Sequence, residues 1–130
     1  MSTTQPIRSK QLLHDFKDYY LTQQPNFRNY TIILIGLNTA LRINDILHLT
    51  WGDVYCTEHS RFYTHLLITE KKTEKETRIL INRELQETLL SYRKTQTSIA
   101  DTDYLFPSPR KADSPLSRYQ AYRIVRKAAE

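Results

Sequence analysis

The chain has 130 residues, 39% hydrophobic and 25% charged, enough apolar material for one domain with its own core. No apolar run approaches the roughly 20 residues that span a bilayer, "MSTTQPIRSK" is not followed by the apolar segment of a signal peptide, and the single cysteine, Cys56, excludes an intrachain disulfide and makes a reducing, cytoplasmic setting the expectation. The net charge of +5 is uneven: residues 108–130 carry six bases and two acids, +4 of the +5, and a basic end of this kind points to a polyanion, nucleic acid first among them.

In chain order, residues 1–8 are expected as a disordered tail, and Ser9 can cap a first helix in which Leu12, Leu13, Phe16, Tyr19 and Tyr20 recur at helical spacing until Pro25-Asn26. A second helix runs from Phe27 to Ala40. Its apolar residues, Tyr30, Ile32, Ile33, Leu34, Ile35 and Leu37, cover all faces, so it should be central and buried. A short third helix covers Ile43–Leu49, and Trp51-Gly52-Asp53-Val54, with Trp51 as a core anchor, leads into extended chain. Phe62–Thr69 and Thr77–Asn82 read as two strands, with Phe62, Thr64, Leu66 and Ile68 on one face and Ile79 and Ile81 on one face of the partner. The charged stretch "EKKTEKE" forms the tip between them. Asn82 caps a helix that turns Leu85, Leu89 and Tyr92 inward, and residues 98–115, with three prolines, are an irregular connection. Ser114-Pro115 marks the start of a last helix, Leu116–Glu130, with Leu116, Tyr119, Tyr122 and Val125 inward. The fold class is therefore α+β, mostly α-helical, with a small antiparallel hairpin or three-stranded sheet. Gly36 and Gly52 are the only glycines, so there is no glycine-rich phosphate loop, and the four histidines lack metal-ligand spacing.

The stretch "TIILIGLNTALRINDILHLTWGDV" places Arg42 in the most apolar part of the chain. A guanidinium there must reach water, pair with an acid, or be held toward a ligand. Asp45, three residues on, is the nearest candidate acid. On spacing alone an Arg42–Asp45 ion pair that pins the helix junction is the stronger reading.

The surrounding residues reverse that preference. "LNTALRINDILHLTWGDV" resembles the first signature of the tyrosine recombinase (phage integrase) catalytic domain, through Ala40, Leu41, Arg42, Asp45, Ile46, Leu47, Leu49, Trp51, Asp53 and Val54. "ITEKKTEKETRILI" resembles the family's β-hairpin, whose tip carries an active-site lysine in a Lys-Thr step, here Lys72-Thr73. The tip usually has a glycine after that step, where this chain has Glu74, and Lys71 remains an alternative to Lys72. "YLFPS" and "PLSRYQAYRIVRKAAE" resemble the segment leading to the family's next helix. The resemblance covers the chain from about residue 9.

It implies an enzyme that breaks and rejoins DNA through a phosphotyrosyl intermediate, without metal or cofactor, so protein cations must stabilise the charge that builds on the phosphate. By the same resemblance Arg42 and Lys72 are the catalytic candidates, Lys72 as general acid toward the 5′ leaving oxygen, and Asp45 orients Arg42. Arg118, Gln120 and Arg123 of the last helix are candidate DNA contacts, against the plainer reading of an exposed basic helix. The expected partners are double-stranded DNA and other recombinase subunits, with no membrane and no small-molecule substrate. The family's His-x-x-Arg motif and tyrosine nucleophile do not occur in these 130 residues. The chain reads as the front part of a catalytic domain, expected to be inactive alone and to leave some apolar surface uncovered. The alternative is a non-catalytic DNA-binding or protein-interaction module derived from a recombinase.

Overall fold

The structure, a computed structural model, describes residues 10–69 and 73–130, with side chains from residue 13 onward. The expected tail, the Ser9 cap and the side chain of Leu12 lie outside the described residues. The elements are α1 (Lys10–Thr22), α2 (Phe27–Thr39), α3 (Ile43–Leu47), α4 (Trp51–Val54), β1 (Tyr55–Cys56), β2 (Arg61–Phe62), β3 (His65–Thr69), β4 (Glu76–Leu80), α5 (Arg83–Lys94) and α6 (Arg118–Ala129). The class is the mixed α+β expected.

Helix α2 is the centre, packed by α1, α3 and α5. Asn26 starts it by accepting the Asn29 N–H at 3.0 Å, and every residue from Asn29 to Ile35 is buried. Its last turn leaves the core, so Leu37 is exposed rather than buried. In α1, Tyr20 is buried and donates its hydroxyl to the Ile124 carbonyl of α6 at 2.8 Å, while Leu13 faces solvent.

The β structure is two separate two-stranded antiparallel sheets, β1–β2 and β3–β4, and the three-stranded alternative does not form among the described residues. In the longer hairpin Leu66 lies opposite Ile79 and Ile68 opposite Thr77, and Leu66 and the following Ile81 are buried, as the alternation predicts. Phe62 falls outside this hairpin: it belongs to β2 and packs edge-on against Tyr55 at 4.9 Å. Thr64 is exposed between the two sheets.

One expectation holds at α4 and another is corrected at α6. Trp51–Val54 forms a one-turn helix that leads, as expected, into extended chain at β1: Asp53 folds back to accept the Thr50 N–H at 2.8 Å, and its own N–H donates to the Thr50 carbonyl at 3.0 Å. In α6 the cap is Ser117, not Ser114, its hydroxyl accepting the Gln120 N–H at 3.1 Å. This shifts the helical phase. Leu116 is buried but precedes the helix, and the inward stripe is Ala121, Ile124 and Ala128, with Val125 half-buried beside it. Tyr119 and Tyr122 are 69% and 52% exposed, so the expectation that they face inward fails. The alanines let α6 lie close to α1 and α3, where a tyrosine would hold it off.

The irregular connection is pinned to α4. The Trp51 and Gly52 N–H groups donate to the carbonyls of Asp103 and Asp101, both at 2.9 Å, and the Leu105 N–H donates to the Leu49 carbonyl at 3.0 Å. Leu105 and Phe106 are thereby carried into the core. Gly52 is needed here for space, since a Cβ on it would lie 3.0 Å from the Asp101 carbonyl oxygen. Gly52→Ala is expected to lower stability by about 1–2 kcal/mol through this overpacking, seen as a lower urea midpoint at unchanged m-value.

Candidate functional site

Arg42 sits where α2 ends and α3 begins. Helix α2 is stopped by Ala40, in the left-handed region at φ 57°, whose N–H returns to the Gly36 carbonyl at 3.2 Å. The Leu41 N–H is taken by the Thr39 hydroxyl at 3.2 Å, and the Arg42 carbonyl accepts the Ile46 N–H at 3.1 Å to open α3. The far end of α3 is closed by His48, whose ring Nδ1 lies 2.7 Å from the Asn44 carbonyl and therefore carries the proton. Both flanking residues, Leu41 and Ile43, pack against the core. The backbone of Arg42 is thus fixed on both sides while its side chain is exposed.

The ion pairs among the described residues are Lys17–Glu84 and Arg83–Glu87, and the His14 ring lies 3.0 Å from the Asp18 carboxylate. Arg42 is in none of them, so the Arg42–Asp45 pair that would make the arginine a purely structural group does not form. Asp45 lies half-buried in the first turn of α3. The guanidinium faces solvent from a rigid junction.

The hairpin is anchored close to that junction. Beyond β4, Asn82 caps α5 by accepting the Leu85 N–H at 2.9 Å and donates its amide to the Asn38 side chain at 2.6 Å, four residues before Arg42. Asn38 in turn donates to the Leu34 carbonyl at 2.9 Å. This bridge, invisible in the sequence because the two asparagines are 44 residues apart, ties the hairpin base to the end of α2. Lys71 and Lys72 lie outside the described residues.

Glu74 adopts a left-handed conformation, φ 55°, the region in which glycine avoids the Cβ clash. It is the position at which the hairpin motif usually carries glycine. Glu74→Gly is expected to relieve that clash, for a net gain of about 0.5 kcal/mol after glycine's greater chain entropy, read as slower amide hydrogen exchange in β3 and β4.

On α6, Arg118 and Arg123 are exposed, as expected, and Arg123 stacks over Tyr119 at 5.8 Å. Gln120 is half-buried and engaged in the cap, its carbonyl oxygen 3.4 Å from the Ser117 N–H. Tyr119, Tyr122 and Arg126 share the exposed face with the arginines. Helix α3 packs on α6, and an apolar groove of about 180 Å³ lined by Leu37, Leu41, Ile43 and Val125 separates the Arg42 turn from that helix.

The family model of the phage integrases matches residues 4–130, and the chain belongs to that family. It is also similar to a protein of Bacillus subtilis (strain 168), "Probable integrase/recombinase YoeC", at 41% identity over 129 residues. That alignment covers 99% of this chain and 65% of the relative, so the chain spans about two thirds of the length of the protein it matches. Among the described residues no helix is long and apolar enough to cross a membrane.

Proposed function

We propose that residues 1–130 are the arginine-bearing front part of a site-specific recombinase that breaks and rejoins double-stranded DNA through a phosphotyrosyl link, acting in the cytoplasm with other copies of itself. The observation that carries this is the exposed Arg42, outside every ion pair among the described residues, on a junction fixed by α2 and α3. Its fork of donors suits two oxygens of one phosphate, and its charge persists at any working pH. Asp45, one turn on, has the spacing to steer the guanidinium once phosphate is bound. Lys72, as general acid, would approach from the hairpin tip. The left-handed Glu74 supports the register in which Lys72-Thr73 precedes the glycine position. Arg118 and Arg123 anchor the duplex from the exposed face of α6, and Gln120 sits at its edge, committed in part to the cap.

The test is a salt titration of duplex binding. Arg118→Ala and Arg123→Ala each remove one cation from the phosphate backbone, and each should lower the slope of log K against log salt by about 0.9. A chain that binds DNA with no such slope, or whose slope neither substitution changes, would be a protein-interaction module instead. The 130-residue chain alone should form no covalent adduct with a suicide substrate, because it contains no His-x-x-Arg motif.

A further inference from the structure

Where the end of α1 and the start of α2 meet α6, along its length from Gln120 to its end, there is an open concavity of about 440 Å³. Its rim carries Arg28 from α2 and Arg123, Arg126 and Lys127 from α6, against one acidic side chain, Glu130. None of these five takes part in an ion pair among the described residues. The floor is Tyr20, whose hydroxyl is spent on the Ile124 carbonyl. Arg28 is steadied by donation from its Nε to the Asn29 side chain at 2.9 Å, and Asn29 is itself buried, so this cation is preset rather than swinging freely.

Four cations gathered around one hollow repel each other, and the side-chain and terminal carboxylates of Glu130 still leave an excess of positive charge; an anion seated between the cations offsets it. The hollow has room for more than one phosphate group, and guanidinium groups entering from two different helices suit the separate oxygens of a phosphate chain. Its cations also continue the basic face of α6, because Arg123 and Arg126 border both.

We infer that this concavity is a second phosphate-binding site, distinct from the Arg42 turn, that takes consecutive phosphates of a polyanion. The DNA backbone running on past α6 is one source of that chemistry and a free polyphosphate is the other. The DNA source rests on the function proposed above; the phosphate site itself does not. It would extend the DNA footprint from the Arg118–Arg123 segment, which it overlaps at Gln120 and Arg123, toward the end of α6 and Arg28.

The experiment uses the double variant Arg28→Gln/Lys127→Gln, with its fold checked by circular dichroism, and two probes. Inorganic tripolyphosphate should raise the melting temperature of the wild-type chain and leave that of the double variant unchanged. In duplex titrations the variant should lower the salt slope by about 1.8, the value for two phosphates, if the DNA backbone is the occupant. Stabilisation by tripolyphosphate with an unaltered DNA slope assigns the site to a free polyphosphate. If the wild-type chain binds no DNA, the function proposed above fails while the tripolyphosphate result still decides the site. Equal response of wild type and variant to both probes overturns the inference. If the double variant does not fold, Arg126→Gln, whose side chain is exposed, is tested for the same loss, and an undiminished response there overturns it too.

Discussion

Arg42→Ala is expected to slow strand cleavage by about 10²–10³-fold while leaving the stability of the domain within about 0.5 kcal/mol of wild type. Both halves follow from one arrangement. The backbone of Arg42 opens α3 and its neighbours Leu41 and Ile43 hold the turn against the core, but its own side chain is exposed and makes no ion pair among the described residues. Truncating it removes no packing and orphans no buried acid, so folding barely changes. What disappears is a fixed pair of donors where negative charge develops on the phosphate. Arg42→Lys is the sharper variant: it keeps the charge without the fork, and should recover only a small part of the rate. The measurement is cleavage of a suicide substrate in a protein that supplies the His-x-x-Arg motif and the tyrosine, beside urea denaturation of the same variants. A large loss of stability with unchanged cleavage would make Arg42 a junction residue and remove the basis of the proposed function.

The parts of this molecule that can be read from the chain are those in which a side chain acts on its near neighbours. Asn82 caps α5, α2 opens at Phe27 after the Pro25-Asn26 break, and Leu66 and Ile79 face each other across the hairpin, because capping, helix breaking and strand alternation are short-range rules. The failures have the opposite character. The phase of α6 is misleading because Leu116, though buried, lies before the helix, and counting threes from it runs through the exposed Tyr119 and Tyr122 instead of Ala121, Ile124 and Ala128. Two alanines carry little hydrophobic signal, yet close helix packing requires them. The one-turn helix at Trp51 has a local mark in Thr50 and Asp53, but the pinning of its first N–H groups depends on carbonyls from residues 101 and 103. The candidate site divides likewise. Arg42 stands out locally as a cation in an apolar run. The Asn38–Asn82 bridge and the gathering of Arg28 with Arg126 and Lys127 exist only once distant helices meet.

Alkaline titration provides the second large effect, at a site remote from Arg42 along the chain. Tyr92 of α5 is buried between Trp51 and Phe106, its ring stacked on both at 5.6 and 5.7 Å, and its hydroxyl donates to the Leu105 carbonyl. Burial pushes its pKa from 10.0 up to about 12. Burial likewise raises Tyr20 and Tyr30. The folded state thus holds the phenolic proton over a range in which the unfolded chain has released it. Stability from Tyr92 is complete below pH 10 and is lost as pH rises from 10 toward 12, by roughly 3 kcal/mol across that span. Urea midpoints measured between pH 8 and 12 should fall along this limb. Tyr92→Phe separates the two roles of the hydroxyl. It should cost about 1–3 kcal/mol at neutral pH, by leaving the Leu105 carbonyl without its donor, and should flatten the alkaline limb to what the other raised groups, Tyr20, Tyr30, Tyr63 and Lys17, supply. Because Leu105 and Phe106 carry the connection into α6, removal of that donor also loosens the support of the Arg118–Arg123 face, and the variant should bind duplex DNA more weakly with an unchanged salt slope. A steepened or abolished slope would instead mean that the tyrosine substitution had displaced the phosphate-binding residues themselves.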